Sequence, residues 1–171
     1  ELVPCSKRDS ADMFAELLKI LGTLKHPAMQ ALAKVYLGDE TLMNAFKRAP
    51  AAKSIHHAFL GGLLEHTLNL LKLADAVCPL YPKINRDIVI IGLFLHDLGK
   101  TRELTYDRGF GYSDHGELIG HVVDGAIMLH DKAQQVMREH GVRLPPGALM
   151  VDRKSTRLNS SHLVISYAVF C

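Results

Sequence analysis

The run Ile88-Val-Ile-Ile-Gly-Leu-Phe-Leu95 constrains this chain more than any other segment. Its eight residues include no polar side chain, and a bilayer crossing needs roughly 20. A stretch that is apolar all round must therefore be buried inside a globular core. A short Val/Ile run could equally be a strand. This one passes without a turn signal into His96-Asp97-Leu98-Gly99, and Asn85 before it is a good helix cap, so a central buried helix is expected. The chain has 171 residues, 48% hydrophobic and 22% charged. That is enough for one ordered domain with a real core, and not comfortably for two.

Helices are expected around it. Met13, Phe14, Leu17, Leu18, Leu21 and Leu24 keep helical spacing after a cap at Asp9 or Ser10. Pro27 suits a first turn, Leu32, Val35 and Tyr36 continue an apolar face, and Gly38 stops it. Asp39 can cap a third helix carrying Leu42, Met43 and Phe46, ended by Pro50. A fourth is expected over 54–77, with Leu63, Thr67, Leu70, Leu71 and Ala74 inside, closed by Pro79 and Pro82. Residues 103–106 and 110–112, around Asp107-Arg-Gly109, read as a small hairpin. A sixth helix is expected over 116–140, with Leu144-Pro-Pro-Gly147 leading into a seventh. The class is all-α.

The three cysteines, Cys5, Cys78 and Cys171, have no CxxC spacing. A disulfide framework or zinc-thiolate site is not expected, and a reducing cytoplasm is the expected location. No apolar signal segment opens the chain, and no membrane association is expected. Histidine is the unusual residue, 10 in a chain without tryptophan. His66 has Leu63, Leu70 and Leu73 at helical steps, so its ring points inward. His96 ends the most apolar helix, and Asp97 beside it is a carboxylate that is costly to bury unless paired or metal-bound. Gly99 lets that helix end. His121 shares a face with Gly125 and Leu129. A lone inward histidine is commonly a hydrogen-bonded core residue, but several together with a carboxylate form a nitrogen and oxygen donor set for a divalent transition metal. His130-Asp131 lies about 180° round the helix from His121 and reads as a solvated face. His26 and His140 read as caps on helix carbonyls.

The order His66, His96-Asp97, His121 is similar to the signature of the HD superfamily of metal-dependent phosphohydrolases. The block Ala51-Ala-Lys-Ser-Ile-His-His-Ala-Phe-Leu-Gly-Gly-Leu-Leu-Glu-His-Thr67 resembles, more specifically, the HD domain of the YhaM-type 3′→5′ exoribonucleases. So do His96-Asp-Leu-Gly-Lys100, Arg102-Glu-Leu-Thr-Tyr-Asp107 and Gly116-Glu-Leu-Ile-Gly-His121. The resemblance implies an HD helical bundle whose metal ligands are His66, His96, Asp97 and His121. Asp97 would be the natural bridge if two ions bind, and Lys100 would stabilise phosphate charge. It also implies Lys53, Arg102 and one of His56 and His57 as substrate contacts, a divalent cofactor (Mn, Co, Fe or Mg), and RNA 3′ ends or another phosphodiester as substrate. Pro4-Cys-Ser-Lys-Arg-Asp9 resembles the join to an N-terminal OB-fold module. The expected organisation is a helical lead-in over 1–50 and an HD domain over 51–151.

Residues 152–171 resemble the translation of a sequencing-library adapter, with Leu163 and Val164 at its variable index. They are expected to lie outside the native frame. The tail holds Arg153, Lys154 and Arg157 against Asp152, so the rest of the chain is neutral where the whole is +2. The mild basicity is no argument for nucleic-acid binding. Two departures from the family pattern carry consequences. His115 stands where an acidic residue is usual, and it is kept out of the metal set. A late His-His pair and Asp are missing, and His162 does not replace them. An HD domain cut short in this way should bind metal weakly, turn over little, and self-associate through its open end. Two other functions compete with an exoribonuclease: an HD hydrolase of nucleotides or signalling nucleotides, and a catalytically inert helical module.

Overall fold

In the computed structural model the described residues are 6, 8–51, 59–105, 111–112 and 118–145. Asp9 caps α1 (Ser10–Leu21) by accepting the amides of Ala11 and Asp12. Helix α2 (Pro27–Leu37) starts with proline in the first turn, where its missing N–H costs nothing. Its cap is His26, whose Nδ1 accepts the Ala28 amide at 3.2 Å. His26 thus serves a helix N-terminus, not the carbonyl end expected of it. Asp39 caps α3 (Glu40–Arg48) through the Leu42 amide.

Helix α4 (Gly62–Val77) begins later than the expected residue 54. Gly61 sits at φ +80°, a left-handed conformation that suits glycine and ends helical continuity. The start is pinned to α3, because Gly61 and Leu63 donate their amides to the carbonyls of Arg48 and Ala49. Ser6 donates its amide to Leu60 and its hydroxyl to Glu65, tying the lead-in to the first turn of α4. A short 3₁₀ turn (Cys78–Leu80) follows α4.

Asn85 caps α5 (Arg86–Leu95), the apolar run, and Val89, Ile90, Ile91, Leu93 and Phe94 are buried. Phe94 meets Tyr36 and Phe46 edge-on at 6.2 and 6.1 Å between ring centres. One core joins Met13 and Leu17 of α1 to Leu32, Phe46, Leu64, Leu68, Ile90 and Val136. Asp87, also buried, accepts the amides of Lys25 and His26 and holds the α1–α2 corner. The chain leaves α5 in tight turns through His96–Gly99 and enters the one-turn α6 (Lys100–Glu103).

Residues Leu104–Thr105 and Gly111–Tyr112 pair antiparallel, Leu104 opposite Tyr112 and Thr105 opposite Gly111; the turn expected between them lies outside the described residues. Gly120, at φ +74°, precedes α7 (His121–His140), so this helix is shorter than the expected 116–140. The expected lead-in to a seventh helix at 146–147 and the whole of 152–171 also fall outside the described residues. No helix among the described residues is long and apolar enough to cross a membrane.

Candidate metal centre

Three elements deliver the expected ligands to one place. His66 lies on the second turn of α4, His96 and Asp97 on the turn that leaves α5, and His121 on the first residue of α7. One donor atom from each of His66, His96 and Asp97 falls within 4.8 Å of the others, a spacing that can hold one ion. His66 Nε2 is 3.7 Å and His96 Nε2 3.2 Å from Asp97 Oδ2. His121 Nε2 stands 3.9 Å from the other oxygen, Oδ1, so Asp97 divides its two oxygens between the histidines.

Gly99 explains how α7 comes so near. A Cβ there would lie 2.0 Å from the His121 carbonyl oxygen and 2.9 Å from its Cα. Only glycine admits that approach, so its role differs from the helix stop expected of it; α5 has already ended at Leu95.

The ring orientations suit metal binding. His96 Nδ1 lies 2.7 Å from the Leu93 carbonyl, to which it can only donate. In a neutral ring this leaves the Nε2 lone pair facing Asp97. That nitrogen is buried and makes no hydrogen bond among the described residues despite the 3.2 Å approach. Lone pair against carboxylate is repulsive unless positive charge stands between them, and either a proton or a metal ion supplies it. The residues present therefore fit a divalent ion. His121 repeats the pattern, with Nδ1 2.7 Å from Glu103 Oε2. Partners of this kind on the far nitrogen orient metal-binding histidines.

Lys100 Nζ completes the surroundings, 2.9 Å from Asp97 Oδ2 and 2.8 Å from the Ala51 carbonyl. Burial alone would raise the Asp97 carboxyl, but the His96 ring and the Lys100 ammonium outweigh it and hold that group far below the usual carboxylate range. Arg102 reaches Asp124 Oδ1, 3.4 Å away on the first turn of α7, with the arginine side chain about half exposed.

Lys53, His56, His57, His115 and His162 lie outside the described residues. His130 is exposed beside Gln134, and His140 ends α7 in solvent. Glu103 and the buried Asp124 were missed from the sequence. Their one signal was an acidic residue six positions after Asp97 and another three after His121, which spacing alone does not distinguish from solvated carboxylates.

The HD domain family matches residues 63–153, more than half of the chain, and the chain belongs to it. The sequence is 37% identical over 122 residues to the 3′-5′ exoribonuclease YhaM of Listeria welshimeri, covering 71% of this chain and 37% of that protein. It is 33% identical over 123 residues to the protein of the same name from Shouchella clausii, covering 72% and 37%. The protein of that name from Bacillus pumilus is 35% identical over 125 residues. The chain thus spans little more than a third of the length of these curated relatives. No solved structure matches it.

Proposed function

We propose that this chain is the HD part of a metal-dependent phosphodiesterase that removes nucleotides from the 3′ ends of RNA. The observation that carries this reading is the convergence of His66, His96 and Asp97, with the buried His96 Nε2 aimed at a carboxylate it does not hydrogen-bond. The relatives named as exoribonucleases supply the substrate class.

In this reading His66, His96 and Asp97 hold a divalent ion (Mn, Co, Fe or Mg), and His121 adds a donor on Asp97 Oδ1. A bound ion of this kind activates water as a nucleophile and neutralises phosphodiester oxygens. The protein's own part is orientation and charge. Asp97 stays ionised because the Lys100 ammonium faces it at 2.9 Å, and it offers both oxygens for coordination. Lys100 spans from Asp97 to Ala51, where its ammonium can also meet phosphate charge. Arg102, half exposed at the rim, is a second cation within the same region. A cytoplasmic location, a lead-in over 1–50 that follows an OB module, an HD domain over 51–151 and a non-native origin for 152–171 belong to the same proposal. Sequencing the source gene through the Asp152 codon tests the last of these.

The direct experiment is a Mn²⁺ titration followed by melting temperature, paired with a 5′-labelled short RNA. Mn²⁺ binding to the folded chain should raise the melting temperature by mass action, and His96→Ala should abolish the rise. Mononucleotides should leave the RNA from its 3′ end. A melting temperature indifferent to Mn²⁺ would leave an inert helical module as the better reading. Hydrolysis of nucleotides with RNA untouched would favour the nucleotide hydrolase.

A further inference from the structure

We propose that Glu103 is a positioning residue that fixes the tautomer of His121, so that its Nε2 presents a lone pair to the metal side of Asp97. This rests on the metal-binding reading above and adds to it a residue with no assigned role.

His96 and His121 face the same carboxylate from opposite oxygens, and each must keep its proton on Nδ1 to offer Nε2. They meet this need in different ways. His96 follows a regular helix, so the carbonyl of Leu93, three residues back, lies under its Nδ1 at 2.7 Å. His121 opens α7, and the positive φ of Gly120 breaks the helical path before it. Its ring has no preceding turn of the same helix to lean on. The acceptor has to come from another element, and Glu103, the last residue of α6, supplies it at 2.7 Å.

The Glu103 side chain is only 12% exposed, against 25% for His121, so the contact is not a solvent-screened surface pair. A carboxylate acceptor also does more than a carbonyl. Its charge increases the basicity of the imidazole and strengthens Nε2 as a donor to a cation. The chain from Asp97 to Glu103 therefore encloses His121 at three points: Asp97 beside Nε2, Gly99 against its backbone, and Glu103 on Nδ1.

Nitrogen-15 NMR of the histidine-labelled, metal-free chain tests this, with His121 assigned by comparison with His121→Gln. The wild type should show the Nδ1–H tautomer. Glu103→Ala should move His121 toward the Nε2–H form or to exchange between the two, and it should weaken Mn²⁺ binding measured by calorimetry by roughly 10- to 100-fold. Glu103→Gln keeps an acceptor oxygen, so it should restore the tautomer and recover most of the affinity. An Nε2–H tautomer in the wild type would refute the proposal, even if Glu103→Ala failed to fold. So would a His121 spectrum unchanged by Glu103→Ala, or a changed spectrum with undiminished Mn²⁺ affinity. If the wild type bound no Mn²⁺ while its tautomer responded to Glu103, the metal reading would be the part that failed.

Discussion

Gly99 lies directly against the backbone of His121, so close that a methyl group on its Cα would overlap the His121 carbonyl oxygen. Two segments far apart in the chain are thereby held at glycine distance, and the site depends on that gap. Gly99→Ala should force α7 away from Asp97, costing about 1–3 kcal/mol as overpacking does. The Mn²⁺-dependent rise in melting temperature should fall with it. Urea unfolding with and without Mn²⁺ measures both, and a variant that keeps the full Mn²⁺ response would show that the approach is dispensable.

Gly120 offers a separate handle on the same helix. At φ +74° and ψ 152° it occupies a region open essentially to glycine alone, while among the described residues, its two chain neighbours aside, no atom stands within 4 Å of a Cβ placed there. Gly120→Ala is thus a test of backbone strain without a clash, expected to cost about 1–3 kcal/mol. Unfolding free energy within a few tenths of wild type would mean that the turn adapts.

Lys100 should reveal itself by what its loss does to Asp97. Lys100→Met removes the ammonium and leaves a buried carboxylate short of positive charge, since the lysine is 19% and the aspartate 10% exposed. Losing one partner of a buried pair costs about 3–5 kcal/mol, less where water reaches it as here. A divalent ion would replace the missing charge, so Mn²⁺ should raise the melting temperature of the variant more than that of the wild type. An equal or smaller rise would argue that Lys100 and the ion do not share Asp97.

Asp39 carries a pH dependence away from the site. Its hydrogen bond with Lys132 lowers the carboxyl below its ordinary value of 3.8, helped by the Leu42 amide and opposed by burial. A lowered folded value adds stability above the unfolded value, and that stability is lost as pH falls through the folded one. Asp39→Asn keeps the helix cap and removes only the charge. Wild type should exceed it by about 0.2–1 kcal/mol at pH 7, the range for a part-exposed pair, and the difference should shrink below about pH 4. Unfolding at pH 7 and pH 3.5 checks this; a constant difference would place the effect elsewhere.

The caps at Asp9, Asp39 and Asn85 were readable because capping is local: a side chain and an amide two or three residues on decide it. The buried run at 88–95 was readable because nothing but a core accepts it. His66, His96, Asp97 and His121 could be named from apolar periodicity and a family resemblance, and the fold brings them to one carboxylate. Where the reading stopped, the missing information was tertiary. Gly99 looked like a helix stop because no local pattern records a backbone arriving from 22 positions along the chain. The start of α4 was set too early, since the amphipathic pattern runs on through Gly61 while the α3 carbonyls decide where the turn falls. Glu103 looked like a strand end for the same reason.

The edge-on meeting of Phe94 with Tyr36 and Phe46 has a practical corollary. The family match begins at residue 63, yet two of these three rings, together with Met13, Leu17 and Leu32, come from before it. A recognisable family segment and an autonomous folding unit are different things in this molecule. A chain begun at Leu63 would carry every metal-ligand candidate and leave the α5 side that faces Tyr36 and Phe46 bare to water. Shortened versions for expression should keep everything from Ser6 onward.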